Sequence, residues 1–393
     1  MKKKKVLVTF VEAGMGHIVT AQAVADALSK CGEEIEVIRE NIFHSNEVLK
    51  KYEGFLINET KKASSRPLHS RFQIMSMHII GAQNSLKFVN GCVFKKQRDL
   101  YIEELKRIKP DIIVDTYFFT AYCSVTYRNK YNPNCKVITY DPDNNVHGWW
   151  DRRVDMFIVN NPTALQEAIK VRKFDKDKVK CASFVARDII VNDNGTKEEY
   201  RKKNNIPLNQ FVVKLADGMY GRAKMRSYIY ELIKSPKQMT IIAIAGKNEE
   251  LLKELNELKQ RVPKNINLIP YGFVENINEL IRASDLFITK AGPNAVLDSV
   301  FLQTPIMINY YANNIEHTTR KVFVDDGGCG VCIKNKKKAR AFVERCIDDP
   351  SILKPYIENE KTKFDKSING SELVADLIVN NYVLNKSETK NKK

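Results

Sequence analysis

The sequence predicts an α/β chain made of two doubly wound parallel sheets, each with its own core. Three observations predict it. Short β-rich runs alternate with amphipathic segments of helix length, which is the rhythm of strands joined by crossover helices. The rhythm occurs twice, on either side of the polar, glycine-ended break Val191-Asn-Asp-Asn-Gly195. A length of 393 residues with 43% hydrophobic content is enough for two cores of ordinary size.

In the first half the pattern gives a strand at 6–11, a helix at 18–30 and strands at 35–38 and 111–115, then a helix at 117–130 and a strand at 136–140. The second half repeats it with strands at 211–215, 240–245, 267–269, 286–289 and 305–309. The expected domains are therefore 1–190 and 196–365, followed by 366–393. The four lysines before residue 6 imitate a signal peptide, but the apolar run stops at Glu12, so they read as a basic lead-in to a buried strand. No run approaches the ~20 apolar residues that span a bilayer, so any membrane contact is expected to be peripheral. Ligands of such sheets bind beyond the carboxyl ends of the strands. The loops after Val11, Tyr140, Leu215, Ala245, Thr289 and Asn309 are thus expected to face a common cleft.

A formal charge of +17 points to an anionic partner: nucleic acid, an acidic membrane surface or a phosphorylated substrate. Residues 61–98 carry eight Lys or Arg and no Asp or Glu, interleaved with Phe72, Ile74, Met75, Met77, Ile79, Ile80, Leu86, Phe88, Val89 and Phe94. That mixture suits a segment lying in an anionic membrane interface, where each basic side chain adds about 1 kcal/mol. It equally suits a basic helical excursion packed on the first domain. No nucleic-acid motif or zinc-finger spacing accompanies the charge, so nucleic acid is not the expected partner. The 8 cysteines are scattered, as reduced thiols of a cytoplasmic protein would be. Cys329-Gly-Val-Cys332 lacks the second pair that a metal site needs, and residues 386–393 form a basic tail.

Three stretches concentrate chemistry. In Ser284-Asp-Leu-Phe-Ile-Thr-Lys-Ala-Gly-Pro-Asn-Ala-Val-Leu-Asp-Ser299 a β-branched run feeds a glycine turn that opens into a helix, with Pro293 in the first turn where its missing N–H costs nothing. Such a helix start favours phosphate. Glu12-Ala-Gly-Met-Gly-His-Ile18 follows the first strand: Gly14 and Gly16 allow close backbone approach, and His17 has the pKa range to exchange a proton with a hydroxyl. Tyr140-Asp-Pro-Asp-Asn-Asn-Val-His-Gly-Trp-Trp150 ends another strand. There Asp141 can assist His17 or act as base itself, His147 adds a second imidazole, and Trp149 and Trp150 can present faces to a sugar or an interface. A rival reading makes Asp141 and Asp143 a D-x-D metal pair, although an Asp-Pro-Asp turn needs no metal and none is expected.

Taken in order, Gly14-Met-Gly-His17, the 141–150 loop, Asp217-Gly-Met-Tyr-Gly221, Tyr271-Gly-Phe-Val274, Lys290-Ala-Gly-Pro-Asn294 and Glu316 resemble the monogalactosyldiacylglycerol synthases and processive diacylglycerol glucosyltransferases over nearly the whole chain. More distantly the chain is similar to the transferase that adds N-acetylglucosamine to the lipid-linked peptidoglycan precursor. The resemblance implies a GT-B fold: two Rossmann-like domains facing a central cleft, an N-terminal acceptor domain, a C-terminal nucleotide-sugar domain and a last helix, 370–384, crossing back.

The resemblance further places His17 and Asp141 on acceptor-side catalytic positions, with Gly14, Gly16, His147, Trp149 and Trp150 beside them. The backbone around Phe273 and Val274 would meet a uracil, while Gly218, Tyr220 and Gly221 would line the pyrophosphate. Gly292, Pro293 and Asn294 would bring a helix start to the same phosphates, Asp298 would hold the ribose, and Glu316 would touch the transferred sugar. The family usually carries glycine at Asn294, threonine at Ala295, glutamate at Asp298 and glutamine at Ile315. The implied reaction is metal-independent, inverting transfer of a hexose from UDP-glucose or UDP-galactose to diacylglycerol at an anionic membrane surface, on the inner face of the cell membrane and with no cofactor. Transfer of N-acetylglucosamine to a polyprenyl-linked acceptor, or sugar-nucleotide binding with weakened turnover, are the alternatives.

Overall fold

The computed structural model describes residues 3–13, 15–65, 81–218, 223–311 and 313–384. Gly14, Tyr220 and Gly221 lie outside the described residues, as do residues 66–80 of the basic stretch and the tail after 384. Two units result: Met1–Arg187 with Ile368–Lys393, and Asp188–Ser367.

The first unit holds a parallel sheet of β1 (Lys4–Thr9), β2 (Ile35–Glu40), β3 (Ile112–Asp115), β4 (Lys136–Tyr140), β5 (Met156–Val159) and β6 (Val179–Cys181), in the order β2-β1-β3-β4-β5-β6. The order reverses between β1 and β3, so the crevice outside their carboxyl ends is the switch point where ligands of such sheets bind. Register sets Thr9 beside Asp115 and Asp115 beside Thr139, which starts the following loops from one edge. Helix Met15–Ser29 is apolar on two sides because it is covered twice. Val24, Ala25 and Leu28 share one core with Val6, Val8 and Ile112 of the sheet and with Val374, Ala375 and Ile378 of helix Gly370–Ile378. That last helix starts so close to residues 183–184 that a Cβ on Gly370 would fall 2.4 Å from the Phe184 carbonyl oxygen.

The second unit repeats the design with β7 (Phe211–Ala216), β8 (Met239–Ile244), β9 (Ile266–Tyr271), β10 (Leu286–Lys290), β11 (Ile306–Tyr310) and β12 (Gly330–Cys332), ordered β12-β11-β10-β7-β8-β9. Here the reversal falls between β7 and β10. The α/β class and both doubly wound sheets are as the sequence predicted. β5, β6 and β12, three or four residues long, are not among the strands the pattern predicts. The division between units falls between Arg187 and Asp188 rather than at 191–195, because Asp188–Val191 forms a helical turn packed on helix Pro293–Phe301 of the second unit.

Candidate active site

In the first unit the switch-point crevice is built on an imidazole. His17, third residue of helix Met15–Ser29, places Nδ1 2.7 Å from the Thr116 carbonyl oxygen just beyond β3. A carbonyl only accepts, so Nδ1 carries the hydrogen and Nε2 keeps its lone pair. Burial pushes the imidazole down to about 4 against the partial support of that hydrogen bond, so it is neutral at ordinary pH. The ring meets Tyr117 edge-on at 5.1 Å, and Tyr117 continues to Phe118 at 4.3 Å.

The loop after β4 closes the other side. His147 lies near enough to His17 for their charges to oppose each other; burial first, then Arg172 and His17, bring it down to about 3. Its Nδ1 accepts from the Trp149 N–H at 3.2 Å, which leaves the hydrogen on Nε2. The crevice thus holds one imidazole nitrogen with a free lone pair and one with a hydrogen to donate. Phe118 packs edge-on against both His147 (5.6 Å) and Trp149 (5.2 Å).

No hydrogen bond joins Asp141 to His17 among the described residues: His17 Nδ1 is held by Thr116, and Asp141 Oδ1 accepts the Asp143 N–H at 3.0 Å in a tight turn. Asp141 is fully buried, and its carboxyl is pushed well above the usual range by burial and by the charge of Asp143, opposed in part by the Trp150 indole. Nor does Trp150 offer a face to a ligand: it is 1% exposed, stacked on His147 and packed among Ala121, Val125, Val137 and Phe157. Trp149 is part-buried. A carboxyl that the sequence reading passed over, Asp115, is fully buried next to Thr116 and raised to about 7 by desolvation, with Ser124 donating to it at 3.2 Å.

In the second unit the crevice between β7 and β10 holds an ion pair. Register pairs Ala216 with Thr289, and the Thr289 hydroxyl donates to the Ala216 carbonyl at 2.8 Å. The two following loops therefore emerge side by side. Gly218 adopts φ +82, a conformation that suits glycine, and a Cβ there would sit 3.4 Å from Lys290 Cε; a Cβ on Gly292 would sit 3.5 Å from the same carbon. Lys290 Nζ is paired with Glu316 Oε1 at 2.7 Å, and Glu316 is fixed because its backbone N–H caps onto Asn313 at 2.9 Å. Gly292 caps helix Pro293–Phe301 with Pro293 at the first position, so the free N–H groups of that first turn, Asn294 included, open beside Lys290.

Asp298 is buried in the second turn of this helix. Phe273 and Val274 follow β9, two strands from β7. Phe273 is 58% exposed with Lys247 Nζ 5.4 Å from its ring centre, while Val274 packs against Ile244 and Leu280 beneath. Lys290 was quoted within its motif but given no role from sequence. Its position directly before the Ala-Gly-Pro turn was the available signal. Among the described residues no group of three or more His, Cys, Asp or Glu converges as a metal site would, and no helix is long and apolar enough to cross a membrane.

Comparisons with known proteins divide the chain in the same way. A family model described as monogalactosyldiacylglycerol (MGDG) synthase matches residues 17–182, and one described as glycosyltransferase family 28 C-terminal domain matches residues 218–368. A processive diacylglycerol beta-glucosyltransferase of Bacillus pumilus is 23% identical over 385 residues, covering 96% of this chain and 97% of the relative. Monogalactosyldiacylglycerol synthase 3 of Arabidopsis thaliana is 22% identical, with 91% of this chain and 77% of the relative covered. Among solved structures, MurG of Acinetobacter baumannii superposes with a TM-score of 0.60 at 12% identity over 96% of this chain and 99% of that one. Arabidopsis thaliana UGT89C1 complexed with UDP-L-rhamnose does so with 0.59 at 13% identity, over 96% and 100%. At such identities the superpositions speak for the GT-B fold alone. With both halves matched and the glycine, histidine and lysine motifs set at the switch points, the chain is a hexosyltransferase similar over nearly its whole length to the monogalactosyldiacylglycerol synthases and the processive diacylglycerol glucosyltransferases.

Proposed function

We propose that this protein moves a hexose from UDP-glucose or UDP-galactose to the hydroxyl of diacylglycerol, in one displacement that inverts the anomeric carbon. The observation that carries the reading is the convergence of Gly218, Gly292 and the Lys290–Glu316 pair on one helix start, an anion-binding arrangement within the region matched to a glycosyltransferase domain. UDP would lie there with its diphosphate against the helix N–H groups and Lys290, so charge developing on the leaving group meets donors already in place. Glu316, held beside Lys290, would turn its carboxylate toward the sugar hydroxyls.

On the acceptor side, His17 Nε2 has the lone pair to take the hydroxyl proton, and the His147 Nε2 hydrogen can steady the same oxygen. Asp141, favouring its protonated form, suits the base role less well. A membrane surface as the place of reaction is supported by the exposed Phe55, Phe88 and Val93, which flank or lie in the acid-free basic stretch.

The test is to incubate the protein with UDP-sugars and anionic vesicles with or without diacylglycerol, and to read the lipids by mass spectrometry. A hexosyl-diacylglycerol that appears with wild type and not with His17→Ala is the expected result. UDP-sugar binding with no lipid product from diacylglycerol or a polyprenyl-linked acceptor would instead mean a relative that has kept the fold and lost turnover.

A further inference from the structure

The chain between β2 and β3 grips both acceptor-side loops by their backbones, once from each of two helices. From helix Glu47–Ser65, Glu53 reaches the loop that leads to His17: its Oε1 accepts from the Glu12 N–H and from Asn41 Nδ2, both at 2.8 Å. Its Oε2 lies 3.0 Å from His44 Nε2. Glu53 is only 3% exposed, so water does not compete for these oxygens. From helix Ala82–Phe88, Gln83 spends both amide hydrogens on the loop after β4, donating to the Gly148 carbonyl at 2.9 Å and the Trp150 carbonyl at 2.8 Å. These carbonyls flank Trp149, whose N–H in turn sets the His147 ring.

Neither contact is needed to close the sheet, since Glu12, Gly148 and Trp150 all lie beyond the strand ends. What the contacts do is hold two loops that have no ladder partners of their own. A lost charged acceptor at Glu53 would leave the Glu12 N–H without this partner, and a loop free to drift by an ångström costs catalysis far more than it costs folding.

We propose that Glu53 and Gln83 are positioning residues, through which the helices inserted between β2 and β3 set the placement of His17 and His147 for proton transfer. The inference rests on the reading that these loops handle the acceptor. It predicts that the two residues act on separate loops and on turnover rather than donor binding.

The experiment compares wild type, Glu53→Ala, Glu53→Gln and Gln83→Ala by steady-state kinetics, thermal melting and hydrogen exchange followed peptide by peptide. Glu53→Ala should lower kcat on the order of tenfold with KM for the UDP-sugar within about twofold, and should speed exchange in 10–18 but not in 141–152. Glu53→Gln should recover most of the rate, because its amide oxygen still accepts from Glu12. Gln83→Ala should lower kcat and speed exchange in 141–152 alone. Unchanged exchange at both loops, equal loss in Glu53→Ala and Glu53→Gln, or a rise in donor KM matching the fall in kcat would overturn the proposal. Should Glu53→Ala not fold, Glu53→Gln and Gln83→Ala carry the test. A wild type without transferase activity would count against the proposed function, while the exchange pattern would still decide this inference.

Discussion

The two switch points use the same topology for opposite electrostatics. Beyond β1 and β3 the crevice is aromatic: two neutral imidazoles, each with one nitrogen fixed by a backbone group, sit among Tyr117, Phe118 and Trp149. Beyond β7 and β10 it is charged, with a lysine held against a glutamate beside two glycine turns and a helix start. Desolvation explains the difference. A base that must take a proton gains from an environment that keeps it neutral and ready, whereas a diphosphate needs donors and a positive charge that are already oriented. Under the proposed function one unit would move a proton and the other would hold an anion.

The comparison breaks most sharply at His17. His17→Ala should lower kcat by roughly 10²–10⁴-fold while leaving UDP affinity, measured by calorimetry, unchanged; an equal fall in UDP affinity would show that the division of labour is wrong. Next comes the contrast of the adjacent tryptophans. Trp150→Ala should cost about 3–5 kcal/mol of stability in chemical denaturation because it empties a packed core, and Trp149→Ala, at a part-buried position, should cost less than half of that.

On the anion side, Lys290→Met should weaken UDP binding by about tenfold, the worth of one charge-assisted contact. Glu316→Gln should leave UDP binding equal or tighter, because it frees the lysine, while it slows sugar transfer. Opposite signs from two partners of one ion pair would identify Lys290 as the phosphate contact.

The smallest effect is the one that most sharpens the contrast. With its folded pKa lowered to about 4, His17 stays unprotonated on acidification well past the ordinary histidine range. Between pH 7 and pH 5 kcat/KM should therefore fall by less than about twofold, where an unperturbed imidazole of pKa about 6.5 would lose roughly thirtyfold. A steep acid limb in that range would instead point to a base other than His17, such as Asp141, whose carboxyl is raised by burial. The same depression has a stability consequence. The unfolded chain takes up this proton first, between about 6.5 and 4, so the His17 contribution to stability should decline as pH falls through that window, which thermal melts of wild type against His17→Gln across the range would register.

Much of the molecule is legible from residue order alone. Parallel strands buried on both faces must be apolar and must alternate with helices, so the two sheets, the glycine turns, the helix start at Pro293 and the histidine after the first strand all stand out as local patterns. These are properties of neighbours in the chain, and the sequence by itself determined them. Local order could not decide which of two adjacent tryptophans points inward, or that a carbonyl at Thr116 would hold the Nδ1 of His17. The same is true of Lys290, which meets Glu316 across 26 positions, and of Glu53, which reaches Glu12 across 41. Only the tertiary structure decided those, because each depends on strand order and register bringing distant segments to one sheet edge, where burial and a single hydrogen-bond partner set the charge and direction of a side chain.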